Sequence, residues 1–129
     1  AWWVMQQEGQ LMPSLDTTFE VEHIYARNRN EMEQTLTDKW SVEKIGNKAL
    51  LEKRINIRAS DYRFSDKIKY YKGFVNNKGE KKEATINTEL VSLANIQTDF
   101  TEQDILNRTD KIMSSFIEYM EKNNLVYCD

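Results

Sequence analysis

Cysteine is nearly missing from this chain: Cys128 is the one example in 129 residues. A lone cysteine cannot close an internal disulfide, and this usage reads as a reducing, cytoplasmic setting. Histidine is as scarce, with His23 alone. Without a second histidine or a cysteine cluster, zinc is a poor match for any metal site here. No apolar run approaches the roughly 20 residues a membrane-spanning helix needs. No basic-then-apolar signal segment opens the chain, and no membrane partner is expected. No G-x-x-x-x-G-K loop is present, so this segment is not expected to hydrolyse nucleotides through one. Internal repeats and low-complexity stretches are absent too.

What is there reads as one compact globular domain, with 40% hydrophobic and 30% charged residues. The chain opens Ala1-Trp2-Trp3-Val4-Met5. Adjacent tryptophans at a free terminus would form an exposed apolar patch. The expectation is a domain cut from a longer protein, a C-terminal fragment. The competing reading is a terminus that folds back on its own core.

The net charge of -3 conceals a segregation. Residues 1–43 carry 3 basic and 8 acidic side chains, residues 44–82 carry 12 and 4, and residues 83–129 carry 3 and 9. A basic block between acidic ones suggests a local polyanion site, against the blander reading of a solvated helix face.

Along the chain, residues 2–8 read as a helix end, and Gly9 and Pro13 punctuate a loop. Phe19, Val21, His23 and Tyr25 alternate with Glu20, Glu22 and Ile24, which is a strand pattern. Residues 26–39 form a loop or a short helix. Gly46-Asn47 is a turn-type dipeptide, after which Leu50, Leu51 and Ile55 fall at helical spacing. Asp61 and Ser65 mark a break and a restart. Asp66 to Phe74 then forms a second short helix, stopped near Gly73. Asn76-Asn77-Lys78-Gly79 is a turn, and Thr85 to Leu93 is either extended or helical. Thr101 and Asp104 make a capping box for an amphipathic helix over about 102–122. Its stripe of Ile105, Ile112, Met113, Phe116, Ile117 and Met120 reads as core.

The residues around His23 narrow the function. Glu22-His23-Ile24 is followed by Ile45-Gly46-Asn47-Lys48-Ala49-Leu50-Leu51, then Asn56, then Phe64-Ser65-Asp66-Lys67. This ordered set resembles the HNH motif of His-Me finger nucleases. The variant it is most similar to is the C-terminal domain of GmrSD-like restriction proteins. Trp40, the segment Thr101–Ile105 and Arg108 match further positions, so the resemblance spans roughly residues 19–120. Asn47 through Asn56 is also similar to the HNH domain of RNA-guided CRISPR nucleases. Ala26 stands where the family carries proline.

The resemblance implies a mostly helical α+β domain around a ββα-metal core, acting as a metal-dependent DNA endonuclease in restriction or phage defence. A nucleotide-dependent N-terminal domain of the same protein is implied as partner. His23 would be the general base, since an imidazole takes a proton from water near neutral pH. Asn47 would orient that ring through its amide carbonyl. Glu22 and Asn56 would supply oxygen ligands to a divalent ion, Mg²⁺ foremost and Mn²⁺ as the alternative. Lys67 is similar to a phosphate-contacting lysine, with Lys53, Arg54, Arg58 and Arg63 as looser backbone contacts. Arg108 is expected in an intradomain ion pair. Tyr62, Tyr70 and Tyr71 are core or base-stacking residues, with core favoured.

Blander readings stand beside these: a turn for Gly46-Asn47, an exposed strand glutamate for Glu22, a solvent-facing Asn56. A geometric tension is also present, because neighbours on a regular strand point to opposite faces. The alternative function is a catalytically degenerate HNH fold that binds nucleic acid or protein. DNA against RNA is not decided by the sequence.

Overall fold

The structure is a computed structural model that describes residues 2–14, 16–59 and 63–124. Asp61, Tyr62 and Cys128 lie outside the described residues. The chain runs through helix α1 (Trp2–Met5), strand β1 (Phe19–His23), helix α2 (Arg27–Glu33) and two 3-10 turns at Lys39–Glu43 and Ile45–Asn47. Strand β2 (Lys48–Glu52) and helices α3 (Lys53–Arg58) and α4 (Phe64–Lys72) follow. Strands β3 (Phe74–Val75) and β4 (Lys81–Lys82), then helices α5 (Thr88–Ile96) and α6 (Glu102–Lys122), complete it. The described part is a mixed α/β structure dominated by helices, with two small antiparallel sheets.

β1 and β2 pair antiparallel, with His23 opposite Lys48 and Phe19 opposite Glu52. Strand, long loop, strand and short helix thus follow one another from Phe19 to Arg58. The helical spacing read for Leu50 and Leu51 is corrected: both lie in β2, and the helix begins only at Lys53. A short apolar run carries no decisive period, and pairing with β1 settles it as strand.

Alternation in β1 is inverted relative to polarity. Glu22 is buried at 5% exposure, whereas Val21 is 54% exposed. The face carrying Glu20, Glu22, Ala49 and Leu51 turns toward the core. Leu51, Ile55, Phe64, Tyr71, Leu90, Phe100 and Ile105 fill that core. Each such side chain contributes about 1.5–3 kcal/mol by leaving water.

α4 ends at Gly73, whose φ of +81 suits glycine and few other residues. Asn76 to Gly79 form the turn of the β3–β4 hairpin, with the Asn76 side chain accepting from the amides of Lys78 and Glu80. The segment left open between extended and helical is α5, capped by Asn87, whose carbonyl accepts from Leu90 N. α6 carries the capping box: Thr101 accepts from Asp104 N, and Asp104 accepts from Thr101 N. Its stripe is core only in part. Ile105 and Ile112 are buried, but Met113, Phe116 and Ile117 are exposed.

Gly46 is not a turn glycine of the expected kind. Its place is set by crowding: a Cβ there would run into the Ile105 carbonyl and the Thr109 hydroxyl of α6. Its amide donates to Thr109 Oγ1 at 3.0 Å.

Candidate active site around His23

His23 closes β1, and its ring is half-buried. Nε2 lies 3.5 Å from Glu43 Oε2, at the end of the first 3-10 turn. Glu43 in turn receives two bonds from Arg27, at 2.7 and 3.2 Å, and sits 3.4 Å from Lys48 Nζ. Burial lowers the His23 pKa below its ordinary range. Glu43 opposes that shift, and Arg27 and Lys48 reinforce it. The Arg27 bonds hold Glu43 down at about 2. That direction favours the neutral ring, the form a proton acceptor must take.

The other predicted residues are placed differently from the expectation. The Asn47 side chain does not orient the ring. It is fully buried, accepting from Tyr25 N at 2.6 Å and donating to Tyr25 O and Val42 O at 2.9 Å. It clasps the loop between β1 and β2. Glu22 is neither an exposed strand residue nor an open ligand. Tyr71 Oη donates to it at 2.8 Å, and Lys67 Nζ lies 3.3 Å away. Burial pushes the Glu22 carboxyl up against the opposing pull of Lys67. Lys67, expected at a phosphate, is 1% exposed and donates to the His23 carbonyl at 2.7 Å. A buried lysine needs such partners, because its charge is costly away from water.

Asn56 bonds Glu20 instead of Glu22, its Nδ2 lying 2.7 Å from Glu20 Oε2. Glu20 and Glu22 share one strand face, while His23 points to the other. Among the described residues, no group of three or more His, Cys, Asp or Glu is gathered to hold a metal. A hard, largely hydrated cation needs few protein oxygens. Glu20 and Asn56 offer such a pair, whereas Glu22 would first have to release Lys67 and Tyr71.

Lys53 and Arg54 are exposed and line an open groove of about 490 Å³ together with Thr17 and Thr18. They sit at the Phe19–Glu52 end of the hairpin, about four strand residues or ~13 Å from His23. Arg58 is half-buried, and the exposed Arg63 lies 3.6 Å from Glu33. Arg108 holds Glu89 with two bonds, at 2.9 and 2.8 Å, and donates to the Gly46 and Lys48 carbonyls. That is the expected ion pair. Tyr71 is core, and Tyr70 packs edge-on against Phe74.

A comparison with protein families matches residues 5–115 to "GmrSD restriction endonucleases, C-terminal domain". The chain belongs to this family. The match takes in every element from β1 to most of α6. Membership carries a nuclease role of the restriction type, in multidomain enzymes that act on DNA. No match was found among curated proteins or among solved structures. Among the described residues, no helix is long and apolar enough to cross a membrane.

Three residues of this GmrSD domain's candidate site carried no role in the sequence pattern: Glu43, Lys48 and Glu20. Glu20 carried a usable signal, since residues two apart on a strand share a face. Glu43 carried none, lying 20 residues beyond His23. Ala26, where the family has proline, has φ of -63, close to the angle proline imposes. The backbone keeps the expected path without the ring.

Proposed function

We propose that this domain is an HNH-type (His-Me finger) endonuclease that hydrolyses DNA phosphodiester bonds with His23 as general base. One observation carries the reading. The chain's sole imidazole ends the first strand of a strand–loop–strand–helix unit, with one ring nitrogen beside a carboxylate. In the reaction, neutral His23 takes a proton from water, and the hydroxide attacks phosphorus. The leaving oxygen departs on the opposite side and is protonated from solvent. Lys53 and Arg54, and more loosely Arg58 and Arg63, would contact phosphates and position the duplex without reading its sequence.

A divalent cation, Mg²⁺ foremost or Mn²⁺, would neutralise charge on the phosphate and leaving oxygen. Asn56 with Glu20 would hold it. Glu22, the ligand implied by the motif, would join only by exchanging its present partners. The setting proposed is a cytoplasmic restriction or phage-defence enzyme whose nucleotide-dependent N-terminal domain delivers DNA.

The test is nicking of supercoiled plasmid in Mg²⁺ or Mn²⁺ by wild type, His23→Ala and Asn56→Ala. Both variants should lose most activity. Equal nicking by all three would end the catalytic assignment. A second reading, a binding module on the same fold, is favoured by the way Glu22 and Lys67 satisfy one another inside the protein. It requires retarded DNA in a gel shift with no nicking by wild type under any divalent ion.

A further inference from the structure

We infer that Glu43 is the positioning residue of His23: it holds the imidazole proton on Nε2 and leaves Nδ1 as the nitrogen that receives the proton of water. The inference deepens the reading of His23 as general base and rests on it for its catalytic meaning.

An ionised carboxylate has acceptors only, and a neutral imidazole has one donor nitrogen and one acceptor. Glu43 Oε2 faces Nε2 at 3.5 Å. In the neutral ring the proton must therefore sit on Nε2, because two acceptors facing each other repel. Nδ1 is then the basic lone pair.

Glu43 stays a carboxylate because the Arg27 guanidinium grips both of its oxygens and the Lys48 ammonium lies at its second oxygen. The backbone holding it is fixed as well. Glu43 ends the 3-10 turn Lys39–Glu43, which buries Ser41 and Val42 and starts with Asp38 accepting from Trp40 N. The amides ahead of that turn, Thr37 N and Asp38 N, both donate to Glu102 of α6. His23 is held from its other side, with its carbonyl bonded by Lys67 and its strand paired to β2. Imidazole and carboxylate thus meet from two separately anchored segments.

The role also fills a gap. Ring orientation was expected of Asn47, whose amide is committed to the backbone of Tyr25 and Val42. No other side chain is seen to hydrogen-bond the ring among the described residues. When Nδ1 takes the water proton, the ring gains a positive charge. Glu43 already faces that charge, so it stabilises the imidazolium as well as fixing the tautomer.

His23 is the sole histidine, so a uniformly ¹⁵N-labelled chain gives one imidazole in a long-range proton–nitrogen NMR spectrum. Above the imidazole pKa, wild type should show protonated Nε2 and unprotonated Nδ1. Glu43→Ala should lose that preference. It should also nick plasmid about tenfold to a hundredfold more slowly, the loss usual for an orienting partner. The loss should fall on kcat, with KM and thermal midpoint nearly unchanged, since Glu43 is a third exposed. Glu43→Asp should recover part of the preference. A wild-type ring protonated on Nδ1, or an unchanged tautomer in Glu43→Ala, would overturn the inference. If the tautomer behaves as stated while His23→Ala still nicks, the base assignment fails and Glu43 keeps only its orienting role.

Discussion

Lys67 Nζ donates to the backbone carbonyl of His23 at 2.7 Å while lying 3.3 Å from the carboxylate of Glu22, the residue just before it. One ammonium therefore serves two consecutive residues of the strand that carries the imidazole. Lys67→Ala would leave Glu22 buried without its cation. The expected cost is about 3–5 kcal/mol, the usual penalty for breaking a buried pair. Urea unfolding measures it. A change under about 0.5 kcal/mol, typical of surface positions, would return Lys67 to a DNA-contacting role.

The Gly46-Asn47 dipeptide should tolerate almost nothing. Asn47→Ala orphans Tyr25 N, Tyr25 O and Val42 O at a fully buried position. At about 1–3 kcal/mol for each unsatisfied group, the loss rivals the whole stability of a small domain. Gly46→Ala should do comparable harm by pushing the loop off α6. Circular dichroism melts check both. A soluble, cooperatively melting Asn47→Ala with a near-native midpoint would contradict the clasp.

Phosphate contacts reveal themselves through salt. Lys53→Ala and Arg54→Ala should weaken DNA binding about equally across sequences. Each should flatten the slope of log affinity against log salt by about 0.9 if it removes one neutralised phosphate. Fluorescence anisotropy across a salt series reads the slope. Unchanged slopes in both would move the duplex away from that groove.

Acidity should act through His23 in a defined direction. Its pKa lies below the ordinary value because burial disfavours the imidazolium. In the proposed mechanism neutral imidazole is the active form, so the acid limb of kcat/KM should fall below about pH 6.5. Stability follows the same sign. As pH drops through about 6.5 the unfolded chain binds the proton first, so the stability contributed by a neutral ring is present above that pH and lost below it. Urea titrations over about pH 5–8 should show a decline on acidification that His23→Gln reduces. A gain in wild-type stability on acidification would reverse the assignment.

Much of this fold was legible because its signals are local. The Thr101–Asp104 box, the stop at Gly73 and the Asn76–Gly79 turn each need only a few neighbouring residues. Leu50 and Leu51 misled because two adjacent apolar residues suit helix and strand alike, and only the β1 partner decides. The site was harder for the same reason, magnified. Glu22 is buried by Lys67 and Tyr71, which lie 45 and 49 residues away. Glu43 reaches His23 across a loop folded by a clasp. The motif marks the candidate site, but which side chain touches which is a property of long-range packing.

The distal helix is also the floor of the motif. Arg108 bonds the carbonyls of Gly46 and Lys48, Thr109 receives the Gly46 amide, and Glu102 ties down the amides of Thr37 and Asp38. A truncated allele ending between Lys67 and Glu102 would still translate every motif residue from Glu22 to Lys67. It would nonetheless encode a scaffold with nothing beneath its histidine loop, so premature stop codons far downstream should be as inactivating as loss of the histidine itself.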